Sequence, residues 1–176
     1  IANGSSVSAS EVLHVGGAIN NTNHGSPSNG ISVMSIASAS DQVVSATLSA
    51  GRYGGTATSD GAKAFLAGGA SDASGGTFFN NVDEYGFVSQ AVAGNYSTFI
   101  TPRRYMSSSS DGQTAIFFGG MQSNFPSFNT FEAVTFSGSS TATQWTDVYC
   151  GAGSAATSNG SESLLSVGNH ADGVNS

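Results

Sequence analysis

The chain has 176 residues, a formal net charge of −7 and only 9% charged residues, against about a quarter in ordinary soluble proteins. Its cations are Arg52, Lys63, Arg103 and Arg104, which excludes the dense positive patch that nucleic-acid binding requires and disfavours an anionic membrane surface. No apolar run reaches the ~20 residues of a spanning helix, so no membrane insertion is expected.

The 11 Phe, 5 Tyr and single Trp argue against a disordered tail, which is poor in aromatics. A chain of this length buries roughly two-thirds of its unfolded surface, enough for one domain over 1–176. The opening IANGSSVSAS has neither a basic region nor an apolar stretch. No signal peptide is expected from it, and the chain resembles a piece of something longer.

The first apolar run is EVLHVGG (11–17), ending on Gly16 and Gly17. After the polar loop AINNTNHGSPSNG come GISVMSI (30–36) and QVVSATL (42–48). Arg52-Tyr53 then opens a second cycle: small residues in YGGTATS, a turn at SDG (59–61), and AFLAGG (64–69) ending on Gly68 and Gly69. NNVDEYGF (80–87) and NYSTFIT (95–101) complete it. The third cycle repeats the order with Arg103-Arg104-Tyr105, YMSSSS, SDG (110–112), AIFFGG (115–120) ending on Gly119 and Gly120, NTFEAVTF (129–136) and QWTDVYC (144–150). A fourth begins with SNG (158–160) and stops after SLLSVGN (163–169).

The second glycine of each pair recurs after 52, 51 and 48 residues, at Gly17, Gly69, Gly120 and Gly168. Tyr96 and Trp145 each lie nine residues after the phenylalanine that ends the preceding run. Asp-Gly and Asn-Gly before the second run read as hairpin turns with positive φ at both central residues. Each unit is therefore expected to form four short strands, with almost no helix, since no segment has a 3.6-residue apolar period. Four-stranded units of about 50 residues predict an all-β propeller of antiparallel blades. The blades run over 1–51, 52–102, 103–150 and, in part, 151–176. The glycine pairs are expected where backbones crowd and φ turns positive. A phosphate-cradling loop is disfavoured, because the glycines lead into polar loops and strands rather than a helix N-terminus.

The units resemble kelch-type repeats, on the Arg at 52 and 103, the glycine pairs, NNVDEY with its counterpart NTFEAV, and Tyr96 with Trp145. More narrowly, DGQTAIFFGG, NTFEAVTF and STATQWTDV are similar to Gly-Gly repeat arrays in structural proteins of tailed, especially marine, phages. The first unit lacks the Arg, Tyr and Trp. The resemblance implies a non-enzymatic structural or adhesive role in a tail fibre or other virion appendage. Its implied partners are other virion proteins, further copies of the chain and a host surface glycan, and its implied place is the virion, outside the cell. Alternatives are an extracellular propeller that binds or cleaves carbohydrate, and a cellular kelch scaffold.

Some kelch-like propellers are copper oxidases, whose centre needs convergent His and Tyr ligands. His14, His24 and His170 fall on a strand, in a loop and near the terminus, so they are read as structural or exposed, with no metal and no cofactor. Cys150 reads as a small core residue. Asp83 and Glu84 are adjacent on one strand and point to opposite faces, which argues against a glycosidase dyad. Asp83 aligns with Glu132, and both are expected to pair with Arg52 and Arg103 within or between blades. In the variable loops, Phe78, Phe79, Phe125 and Phe128 either cover the blade edge or meet a partner subunit or glycan.

Overall fold

The computed structural model describes residues 3–7, 10–16, 27–72, 76–99, 101–122, 128, 130–138, 143–145, 153, 155–159 and 161–166. Gly17, His24, Phe125, Cys150 and His170 lie outside them, as do most of the loop before residue 27 and the segment from 146 to 152.

All elements among the described residues are strands. β1 (Asn3–Val7), β2 (Glu11–Val15), β3 (Gly30–Ser35) and β4 (Ser40–Thr47) form sheet 1 in chain order. Sheet 2 repeats the meander with β5 (Thr56–Ser59), β6 (Lys63–Ala67), β7 (Asn81–Gly86) and β8 (Ala91–Thr98). Sheet 3 consists of β9 (Arg104–Ser110), β10 (Thr114–Met121), β11 (Phe131–Thr135) and β12 (Thr143–Trp145). β13 (Ala155–Ser158) and β14 (Ser163–Ser166) form the two-stranded sheet 4. Every pairing is antiparallel. The fourth strand of sheet 2 starts at Ala91 rather than at Asn95, because a bulge with Gly94 at φ +90° carries the ladder further back.

The sheets stack face to face, and strand periodicity determines which residue faces which neighbour. In β6, Ala64 and Leu66 join Leu13, Val15, Ile31, Val33 and Leu48 in a core between sheets 1 and 2. The alternate residues Phe65 and Ala67 join Met106, Ala115, Phe117, Val134 and Phe136 between sheets 2 and 3. A strand covered on both sides reads as one continuous apolar run, which is why KAFLA carries no alternation. The outermost strand β8 has one covered side and alternates exposed with partly buried positions.

The first strands lie against each other in series: β1 on β5, β5 on β9, β9 on β13. Small residues let them approach, and hydroxyls bridge them. Ser108 Oγ donates to the Ala57 carbonyl at 2.8 Å, and Thr56 Oγ1 lies 2.8 Å from Ser108 Oγ. Ser110 Oγ donates to the Ser59 carbonyl at 2.6 Å. The Ser-rich YMSSSS is therefore more than a way to save space.

The Asp-Gly turns differ from the two-residue form expected from sequence. Gly61 and Gly112 have positive φ, while Asp60 and Asp111 do not. Each Asp instead folds its side chain over a four-residue loop. Asp60 Oδ1 accepts from the N–H groups of Ala62 and Lys63, both at 2.8 Å. Asp111 Oδ1 accepts from Gln113 and Thr114 at 2.8 and 2.7 Å, and Asn159 repeats the pattern with Ser161 and Glu162. A side-chain acceptor has replaced the second left-handed residue.

Candidate functional site

The second strands of sheets 2 and 3 end where the backbone of the next segment crosses them. Gly68 has φ +61°, and a Cβ there would lie 2.6 Å from the Arg103 carbonyl oxygen. Gly120, φ +88°, would bring a Cβ to 2.7 Å from the Arg104 carbonyl oxygen. Both conformation and space thus require glycine. Gly69 and Gly119 also have positive φ, as does Gly16 at the corresponding place in sheet 1. The crossing segments bring three of the chain's four cations to this end of the sheets.

Arg52 and Asp83 are 2% and 0% exposed, with Nη2 2.7 Å from Oδ2. Asp83 also accepts from Ser49 N–H at 3.2 Å, from Ser49 Oγ at 2.8 Å and from Asn81 Nδ2 at 3.0 Å. Arg52 Nη1 donates to the carbonyls of Gly68 and Leu66. Burial lowers the Arg52 guanidinium below its ordinary value, opposed by the charge of Asp83. In sheet 3 the same arrangement recurs: Arg103 Nη2 lies 2.9 Å from Glu132 Oε1, with both side chains 0% exposed. Arg103 Nη1 donates to Thr130 Oγ1 at 2.9 Å. In each case the arginine leaves the linker between two sheets and is held by the third strand of the later one.

The loop aromatics close over these cations. Arg52 sits over the Phe79 ring at 5.8 Å and Arg103 over the Phe128 ring at 5.8 Å. Arg104 lies over Phe78 at 5.5 Å and over Tyr105 at 4.8 Å. The three phenylalanines are partly exposed, each with one ring face turned to a guanidinium. Tyr105 packs edge-on against Tyr53, and its φ of +57° is rare for a bulky residue. Burial and a hydrogen bond with Tyr53 push its hydroxyl up to about 12. Sequence reasoning placed the arginines and phenylalanines in the right loops but missed that they cover one another.

Tyr96 lies toward the opposite end of the sheets. Its ring packs on Phe65 at 4.5 Å and its hydroxyl donates to the Thr135 carbonyl at 3.0 Å, joining sheets 2 and 3. Lys63 lies over Tyr96 and pairs with Glu84 at 3.2 Å. Trp145 lies on β12 opposite Phe131 in the register. His14 is exposed on β2 opposite Ser32, beside an open hollow of about 270 Å³ lined also by Gly16, Ser28 and Gly30. Among the described residues, no cluster of three or more His, Cys, Asp or Glu side chains is placed to hold a metal ion.

This arrangement locks charge inside the sheets instead of offering it to a substrate. Asp83 and Glu132 are fully covered and ion-paired, so neither can exchange a proton with a glycosidic oxygen. Asp83 and Glu84 engage different cations, Arg52 and Lys63.

No family model matches the chain, and no curated protein resembles it in sequence. Among solved structures, that of YjhT is similar to it with a TM-score of 0.69 at 13% identity, over 89% of this chain and 55% of that one. The likeness is one of fold, and the chain spans about half the length of that protein.

Proposed function

We propose that the chain forms an arc of a kelch-type β-propeller and serves as a non-enzymatic structural and adhesive component of a phage particle, in a tail fibre or similar appendage. The observation that carries this reading is the Arg-and-acid pair buried at the same place in sheets 2 and 3 and roofed by the loop phenylalanines. A frame so closed supports loops that vary in sequence above it, and such loops on rigid scaffolds are where recognition is built. The radial order of the first strands supports a propeller, whose innermost strands adjoin in series. The phage assignment is supported by the resemblance of 52–150 to virion repeat arrays. The partners are other virion proteins at the sheet faces and a host surface glycan at the loop end.

Mass spectrometry of purified particles from the phage encoding the chain tests the assignment: peptides from 52–150 are expected in stoichiometric amount, and their absence overturns it. On a glycan array the purified chain is expected to retain host surface glycans. Release of reducing ends from host polysaccharide would replace adhesion with hydrolysis.

A further inference from the structure

Backbone hydrogen bonds join the residues that lead into the first strands. Tyr105 N–H donates to the Gly54 carbonyl at 2.6 Å, and Gly153 N–H donates to the Tyr105 carbonyl at 3.1 Å. These three positions recur after 51 and 48 residues, the same steps that separate Gly69, Gly120 and Gly168, so they are equivalent places in successive units. All three have a left-handed backbone, with φ of +70° at Gly54, +57° at Tyr105 and +75° at Gly153. Two are glycine, as that conformation favours. The middle one is tyrosine. A bulky residue holds such a φ only where its surroundings impose it, and residues of this kind gather at ligand clamps.

The surroundings have made room for the ring. A Cβ on Gly54 would lie 2.9 Å from Tyr105 Cδ1, so the ring occupies the space that a side chain at 54 would need. Arg104 lies over the ring at 4.8 Å, and Tyr53 meets it edge-on at 5.8 Å. By the same step, a side chain at 153 would stand toward Tyr105 as Tyr105 stands toward Gly54. That residue is glycine, and a Cβ there would meet nothing within 4 Å. Tyr53 and Tyr105 both stay partly exposed, so an aromatic wall borders open space. We infer that this wall stacks on the C–H face of a neutral hexose unit in a surface glycan, whose hydroxyls meet those of the two tyrosines. Aromatic rings with a polar tip suit a ligand that is apolar on one face and hydroxylated at its rim. Charge selects a neutral sugar over an acidic one. At this end Arg52, Arg103 and Arg104 are matched in number by Asp83, Glu132 and Asp72, whose carbonyl accepts from Arg104 Nη1 at 3.4 Å. The net charge of −7 opposes the approach of anionic glycans.

The inference rests on the adhesive reading and names the surface that carries it. On an array of neutral hexose oligosaccharides, spotted beside sialylated and uronic-acid oligosaccharides, the chain is expected to be retained on the neutral spots. Tyr105→Gly gives sheet 3 the residue of its neighbours. It should weaken binding to the best-retained neutral oligosaccharide by about tenfold, with an unchanged midpoint of thermal unfolding. Tyr105→Phe keeps the ring face and should keep most of the affinity. Gly153→Asn, which tolerates the left-handed backbone, fills the space beside the ring and should weaken binding to a similar degree. Undiminished binding in Tyr105→Gly or in Gly153→Asn, an equal loss in Tyr105→Phe, or retention confined to acidic glycans each overturns the inference and leaves adhesion standing. Should Tyr105→Gly fail to fold, Gly153→Asn decides by itself. Retention of no glycan at all removes adhesion and this inference together.

Discussion

Sheets 1 and 2 have the same strand order and the same glycine at the end of the second strand, yet their interiors differ. In sheet 2, Asp83 on β7 faces Leu66 on β6 and holds Arg52. In sheet 1 the equivalent ladder position is Ser32, facing an exposed His14. After β7 comes the buried Phe87, whereas after β3 comes the exposed Ile36. The comparison shows that the four-stranded meander needs neither the ion pair nor the aromatic. Both belong to the junction between sheets: Arg52 arrives from the linker and Ser49 reaches Asp83 from the same linker, so the pair ties the exit of sheet 1 to the body of sheet 2.

The largest effect is expected from breaking the tie in sheet 3. Arg103→Ala strands the buried Glu132 and should cost about 3–5 kcal/mol in urea unfolding. Arg103→Met combined with Glu132→Leu should recover most of that loss, because no charge is then left buried. Equal losses in the single and double variants would mean that packing, not charge, is what the position supplies.

The stacked contact between sheets comes next. Phe65→Ala should cost about 3–4 kcal/mol through the cavity it leaves. Leu164→Ala, at the equivalent position on sheet 4, should change the stability of the isolated chain by less than about 0.5 kcal/mol. A comparable loss at both sites would show that Leu164 is covered within one chain. Gly68→Ala meets both a left-handed φ and the Arg103 carbonyl and should cost about 2 kcal/mol. Gly61→Ala, with open space around it, should cost only the conformational part, about 1 kcal/mol.

The smallest effect separates the two ends of the first strands by pH. The Tyr105 hydroxyl is raised from 10.0 to about 12. A raised folded value means that its contribution is complete below the unfolded value near 10 and is lost as pH rises from there towards 12. Thermal unfolding across this window should fall less steeply in Tyr105→Phe than in the parent chain. Identical alkaline limbs would remove Tyr105 from the account.

Much of the architecture was legible because short-range rules impose it. Glycine pairs mark places where backbone conformation excludes a side chain, and the Asp-Gly and Asn-Gly segments mark hairpins whichever turn they adopt. Apolar runs of five or six residues between such punctuation are strands, and their recurrence marks equal units. The charged residues at 52, 83, 103 and 132 could be matched by spacing, since a buried charge in a low-charge chain needs a partner. The covering of Arg52 by Phe79, of Arg103 by Phe128 and of Arg104 by Phe78 was not legible, because loops of unequal length bring those rings back by three-dimensional paths. The hydroxyl bridges from Ser108 and Ser110 to sheet 2 were hidden for the same reason: a run of serines has no direction until two strands are side by side.

The sequence by itself determined the unit, its four strands and the all-β class, since period-2 burial, positive φ and turn chemistry act over a few residues. Tertiary structure alone decided which face of each strand meets which neighbour, that Asp83 and Glu132 are sealed inside rather than offered to a substrate, and that Ile36 and Leu164 stand open. Those outcomes depend on how one sheet stacks on the next. Stacking is driven by apolar area shared between residues tens of positions apart, and no local pattern records which of them will share it.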